Sequence, residues 1–277
     1  MAQCLSPFNK DIDGQRIPLP CGKCYECRAR RVSGWSFRLL KEAERSSSAF
    51  FITLTYENEN IPRTEKNFKT LDKSDLQKFF KRLRKRNKNK LKYYACGEYG
   101  TRTERPHYHI ILFNADQETI FKAWKLGHIH IGQCEPASVG YTLKYMSKES
   151  KIPKHINDDR LKEFSLMSKR MGENYLTQQM IAYHKADLAN RVNITIEDGK
   201  KIVLPRYYRD KIYTREEKLH IALYHEQKEM AEIAEHQDKL YTDPTYLSTY
   251  NKQELKKELI SHNKSRKAKN DTRNTTI

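Results

Sequence analysis

Between Ala49 and Cys134 the chain alternates strand-like and helix-like hydrophobic patterns, and their order limits the folds open to it. Ala49–Tyr56 is aromatic and β-branched, which predicts a buried strand. Asp72–Asn87 places Leu76, Phe79, Phe80 and Leu83 at helical spacing. Lys90–Glu98 predicts a strand, Tyr99–Arg105 a polar turn, and Pro106–Phe113 a second strand, so the pair reads as a hairpin. Asp116–Lys125 carries Ile120, Phe121 and Trp124 on a short helix, and His128–Cys134 predicts a fourth strand. The order β-α-β-β-α-β predicts an α+β fold: a ferredoxin- or RRM-like antiparallel sheet with two helices on one face and its third strand central. A further helix over Pro136–Ser147, with Pro136 in its first turn, is free to lie across the open face.

That third strand carries unusual chemistry. Pro106-His107-Tyr108-His109 sets two imidazoles two residues apart, and on a strand both point to one face. Glu98 ends the preceding strand, where a hairpin brings it beside His107. Two imidazoles and a carboxylate leave coordination positions open for water and phosphate oxygens, and the mixed donors suit Mg2+ or Mn2+. Glu104 is a rival third ligand, but it sits in the turn. His128 and His130 repeat the spacing on the next strand, where the simpler reading is the polar face of an edge strand. On the following helix, Tyr141 and Tyr145 stand four apart and share a face. Such pairs are more often packing stripes, but Lys144 and Lys148 lie on the same helix. An ammonium favours phenolate and can hold a phosphate or help a leaving oxygen. A metal that polarises phosphate beside tyrosines able to attack it implies DNA nicking and rejoining.

Charge points the same way. The 277 residues hold 53 Lys and Arg against 35 Asp and Glu, a net charge of +18 that favours a polyanionic partner such as nucleic acid. Lys81, Arg82, Arg84, Lys85 and Arg86 crowd one helix whose Leu83 continues the apolar stripe, so one face can pack while the others meet phosphates. Arg102 and Arg105 in the polar turn are further candidate DNA contacts. Mean hydropathy is −0.91, which predicts a modest core. No apolar run approaches the ~20 residues that span a bilayer. The first ten residues lack the pattern of a signal peptide. Both observations lead to the expectation of a cytoplasmic protein without a membrane partner, in a reducing setting.

Cys21-x-x-Cys24-x-x-Cys27, with Cys4 upstream, is a compact thiol cluster in a segment, Met1–Arg30, that reads as loop. Four thiolates suit a structural Zn2+. An iron–sulfur cluster and free thiols remain open alternatives. Val32–Ser46 predicts a helix. Asn193–Val203 predicts a small hairpin around Asp198-Gly199, Thr214–Tyr241 a charged amphipathic helix, and Gln253–Ile277 a polar tail. The expected organisation is a Cys-rich segment and helix over 1–47, a core over 48–150, an accessory region over 151–213 and a helical tail over 214–277.

Phe51-Ile52-Thr53-Leu54-Thr55-Tyr56, the His107/His109 strand and the Tyr141/Lys144/Tyr145 helix resemble, in that order, the three motifs of HUH endonucleases, the rolling-circle replication initiators. The Tyr-x-x-Lys-Tyr form with Lys148 following is similar to the initiators of small isometric single-stranded DNA phages. Pro20-Cys21-Gly22-Lys23-Cys24 and Pro205-Arg206-Tyr207-Tyr208 look like the gokushovirus branch of the microviruses. The motifs cover about 50–148, and the flanking likeness extends it to about 1–213. The resemblance implies nicking of single-stranded or supercoiled origin DNA through a 5′-phosphotyrosine link, with a later transfer that circularises the strand, inside a bacterial host. The family usually has an aliphatic residue where Tyr108 stands. The sequence has no G-x-x-x-x-G-K-[ST] motif, which fits reliance on host helicase and polymerase. The alternatives are a non-catalytic RRM-like nucleic-acid-binding module and an HUH transposase or relaxase.

Overall fold

The computed structural model describes residues 4, 6–12, 14–147, 152–196, 199 and 201–254. It opens with an antiparallel hairpin, β1 (Phe8–Ile12) and β2 (Gln15–Leu19), followed by helix α1 (Tyr25–Glu44). The loop expected over the first thirty residues is therefore largely structured, and α1 begins seven residues before the expected start. Next come β3 (Ala49–Thr55), α2 (Lys73–Arg86), β4 (Lys92–Tyr99), β5 (Pro106–Phe113), α3 (Gln117–Ala123), β6 (Ile129–Gln133) and α4 (Pro136–Ser147). A short strand, β7 (Phe164–Met167), follows, then α5 (Gln178–Lys185), the hairpin β8 (Asn193–Thr195) and β9 (Lys201–Val203), α6 (Arg206–Ile212) and α7 (Arg215–Thr242). The described residues divide into two compact units, 1–183 with 192–209, and 184–191 with 210–277.

The central sheet is antiparallel with order β6-β3-β5-β4-β7. The expected four strands take the ferredoxin-like arrangement, with the His-bearing β5 in the middle. β7 adds a fifth strand outside β4 that the sequence did not announce. Alternation along each strand sorts side chains between two faces. On one face, Ile52, Tyr108, Ile110 and Leu112 meet Leu76, Phe79, Phe80 and Leu83 of α2, with Ile120 of α3 in the same cluster. Each fully buried side chain of this kind contributes about 1.5–3 kcal/mol relative to exposure. The other face is divided along its length. Tyr94, Ile111 and Phe113 pack under Leu39 of α1 and Val139 and Leu143 of α4. Toward the other end the same face turns polar: Glu98 on β4, His107 and His109 on β5, Thr53 and Thr55 on β3.

Two ties fix the frame. The Tyr108 hydroxyl donates to the Asp72 carbonyl (2.7 Å), and Asp72 caps α2 by accepting from the Ser74 amide. Tyr108 therefore points away from the imidazoles on either side of it and locks α2 to the sheet. Near α1, the buried Glu42 carboxylate accepts from Lys92 (2.8 Å) and from the Gly172 amide (2.8 Å). The Tyr208 hydroxyl donates to the Gly172 carbonyl (2.7 Å), and the Arg38 guanidinium lies over the Trp35 and Tyr207 rings. In the second unit, α7 begins with a reciprocal cap between Thr214 and Glu217. Among the described residues, no helix is long and apolar enough to cross a membrane.

Candidate active site and metal centre

Antiparallel register puts Glu98 directly opposite His107, and Thr53 directly opposite His109. One carboxylate oxygen of Glu98 lies 2.6 Å from His107 Nε2 and 3.0 Å from His109 Nε2. The two imidazole planes are nearly perpendicular, at 88°. Glu98 and His109 are 4% and 5% exposed, so the donors converge inside the protein rather than on its surface. Burial by itself raises the Glu98 pKa. The hydrogen bonds and charge of His107 and His109 outweigh it and hold the carboxyl below its usual range.

The outer contacts set how the imidazoles face. His107 Nδ1 lies 3.0 Å from the Arg105 carbonyl, which can only accept, so Nδ1 carries a proton. In the neutral ring Nε2 then turns a lone pair toward the carboxylate 2.6 Å away. Two facing acceptors repel unless a cation lies between them or the ring is doubly protonated. His109 Nδ1 pairs with the Thr53 hydroxyl at 3.0 Å. Outer-shell partners of this kind orient metal-ligating histidines generally. The donor set fits a divalent ion held by Nε2, Nε2 and a carboxylate oxygen, with positions left for other oxygens.

Tyr141 borders this centre. Its ring meets His109 edge-on at 5.2 Å between centroids, and Phe51 at 6.0 Å, while Phe51 stacks on the other side of His109 at 5.6 Å. Tyr141 is 47% exposed, so a phenol beside the centre remains accessible. Tyr145 and Lys144 occupy the last turns of α4, but their side chains lie outside the described residues, as does Lys148 entirely. Thr53, Phe51 and the Arg105 carbonyl complete the surroundings of the histidines. Thr53 had a sequence signal, since it alternates with Thr55 in an otherwise apolar strand. The Arg105 carbonyl had none.

Glu104 takes no part in the centre, being paired with Arg160 (2.6 Å) and Lys154. His128 and His130 are exposed at the edge strand and join no metal-capable cluster among the described residues.

The basic run is placed differently. α2 covers the face opposite the imidazoles, so Lys81, Arg84 and Lys85, all exposed, do not line the Glu98/His107/His109 centre. Arg82 donates to the Ala123 carbonyl (2.7 Å), and Arg86 is exposed and donates to the Arg82 carbonyl (3.3 Å). Arg102 is exposed in the turn. Arg105 reaches the Tyr56 carbonyl and Asn58, so its guanidinium serves the fold.

Residues 49–150 match the family described as Replication-associated protein ORF2. That segment contains Glu98, His107, His109, Tyr141, Lys144 and Tyr145 in one continuous stretch. It belongs to this family of replication-associated proteins. The chain is 29% identical over 214 residues to Replication-associated protein ORF2 of Spiroplasma virus 4, covering 69% of this chain and 66% of that protein. It is 26% identical over 217 residues to Replication-associated protein VP4 of Bdellovibrio phage phiMH2K, with 69% and 66% covered. Replication-associated protein ORF4 of Chlamydia phage 1 is 23% identical over 241 residues, with 74% and 57% covered. The alignments thus span just under two thirds of the first two relatives' length. No solved structure matches the chain. The family segment excludes the four N-terminal cysteines.

Proposed function

We propose that this chain initiates rolling-circle replication of a small single-stranded DNA genome by nicking one strand at the origin. The observation that carries the proposal is the convergence of Glu98, His107 and His109 on one point, with Tyr141 against His109. These three side chains would hold Mg2+ or Mn2+. When bound, such an ion supplies positive charge that offsets the phosphate and orients it for in-line attack. The Tyr141 phenol oxygen attacks phosphorus, the bond from phosphorus to the 3′ oxygen breaks, and the phenol's proton is balanced by the one the 3′ oxygen gains. The product is a 5′-phosphotyrosine and a free 3′-OH. Phosphodiester energy is conserved in the link, so the 3′-OH can reseal the strand without ATP.

Tyr145, one helical turn later, is the second nucleophile. Termination requires an enzyme already joined to one 5′ end to cut again, and a second hydroxyl in the site permits that. Lys144, between the two tyrosines, steadies the phosphate, and Lys148 contacts the DNA backbone. The setting is the cytoplasm of a bacterial host, with helicase and polymerase borrowed from it.

The test is incubation with single-stranded origin DNA and Mn2+, followed by denaturing gels. A covalent adduct is expected from the native chain and from each single variant, Tyr141→Phe and Tyr145→Phe. None is expected from the double variant, and neither single variant should complete strand circularisation. DNA binding without any adduct in the native chain overturns the proposal in favour of a non-catalytic binding module. One Phe variant matching the native chain in every assay overturns the paired-nucleophile role.

A further inference from the structure

The N-terminal thiols lie outside the family segment and outside the chemistry proposed above. Cys4, Cys21, Cys24 and Cys27 bring their sulfurs together, all within 4.8 Å of one another. Cys4 Sγ and Cys24 Sγ are 3.9 Å apart. A disulfide is far shorter, about 2.05 Å. Four thiolates bound to one Zn2+ at about 2.3 Å stand about 3.8 Å apart along the edges of a tetrahedron. An iron–sulfur cubane distributes its thiolates over separate irons, which sets them farther apart than one ion does. The spacing in this chain is that of a single ion.

The backbone around the cluster is arranged for anionic sulfur. The Cys21 amide donates to Cys4 Sγ (3.2 Å), and the Lys23 and Cys24 amides donate to Cys21 Sγ (3.4 and 3.2 Å). Gly22, at φ +70°, makes the tight turn that carries these amides past the sulfur. Cys24 is the N-cap of α1 and Cys27 lies in its first turn, where the helix dipole favours negative charge.

The position in the fold gives the cluster something to do. Cys4 precedes the β1–β2 hairpin and Cys21 follows it. A two-stranded hairpin is marginal in water without support, and this one buries little, with Phe8 51% exposed. We infer that Cys4, Cys21, Cys24 and Cys27 form a closed tetrathiolate Zn2+ site that fastens the N-terminal hairpin to the start of α1. Four protein ligands leave no position for water, so the site is structural. The far half of α1 carries Leu39 into the cluster beneath α4, so the tie also anchors the helix that backs the tyrosine-bearing one.

Metal analysis of the full-length protein, purified without chelator, tests this. About one zinc per chain is expected, retained in His107→Ala/His109→Ala and lost in Cys24→Ser/Cys27→Ser. Because the Cys variant can fail through misfolding, cobalt exchange into the native chain is the second measurement. Tetrathiolate coordination gives intense thiolate-to-cobalt charge transfer that a His/Glu site does not. Chelation should also remove amide-exchange protection from residues 8–19 and the first turn of α1, while α2 keeps its own. The inference is overturned by a protein without zinc whose four thiols alkylate rapidly, by iron with acid-labile sulfide, or by zinc that follows the histidines instead of the cysteines. Failure of DNA nicking with zinc still bound leaves this site standing, so the two proposals fail separately.

Discussion

A single proton on His107 Nδ1 decides what the centre can hold. The Arg105 carbonyl fixes that proton, and so turns Nε2 to the Glu98 carboxylate. The Thr53 hydroxyl orients His109. Thr53→Val keeps the β-branched shape and removes the hydrogen bond. It should weaken divalent-ion affinity by about 10–100-fold, read by calorimetric titration with Mn2+, while the thermal midpoint barely moves. An unchanged affinity means that the threonine does not orient the ring. A second residue-scale prediction concerns Asp158. The Arg160 guanidinium, donating to it at 2.7 and 2.8 Å, holds its carboxyl well below the usual carboxylate range. Its folded-state pKa is depressed, so the stabilisation is present above the unfolded value of about 3.9 and is lost as pH falls through the folded one. Asp158→Asn should therefore cost about 1.5–3 kcal/mol at neutral pH and flatten the acid side of the stability curve. Urea unfolding at pH 7 and at pH 3 checks it: an equal loss at both pH values counts against the ion pair as the cause.

At the scale of elements, α2 has two jobs on two sides. Leu83 is fully buried against the sheet, whereas Lys85 is exposed. Leu83→Ala should destabilise the fold by about 2–5 kcal/mol, and Lys85→Ala by no more than about 0.5 kcal/mol, both measured by urea denaturation. Similar losses for the two contradict the packing described. The elements also explain what was legible in the sequence. Strand phase was readable because a two-residue period leaves no freedom. Tyr108 among apolar neighbours on one face, and His107 and His109 on the other, follow from alternation alone. Pairing of Glu98 with His107 followed from a short hairpin. β7 was not readable, since four residues at a sheet edge carry too little periodicity, and β4 supplies the pairing from a distance in sequence. The start of α1 was hidden by its cysteines, which mark a metal site more clearly than a helix. The placement of α2 opposite the imidazoles was implied by its apolar stripe, yet its dense charge drew attention toward the chemistry.

For the molecule as a whole, charge and chemistry sit apart. The formal charge of +18 is spread over the chain. The exposed cations of α2, Lys81, Arg84 and Lys85, are on the opposite side of the sheet from Glu98, His107 and His109. A strand threaded past Tyr141 does not need α2 to hold its reacting phosphate. α2 can still gather DNA, because long-range attraction to a polyanion depends on charge more than on position. Binding that releases counterions falls with salt, with a slope of about 0.7 per phosphate neutralised on single strands. Changing Lys81, Arg84 and Lys85 together to Gln should therefore weaken DNA binding most at low salt. The slope of log affinity against log salt should fall by about 2 at most. At saturating DNA, the rate of adduct formation should stay within about twofold of the native chain, because the nucleophile and the metal ligands are untouched. Fluorescence anisotropy across a salt series gives the slope, and quenched-flow nicking at saturation gives the rate. A large loss of rate at saturation places α2 against the scissile region and contradicts the separation. An unchanged slope means that the basic helix face is solvated surface, and that the charges gathering DNA lie elsewhere on the chain.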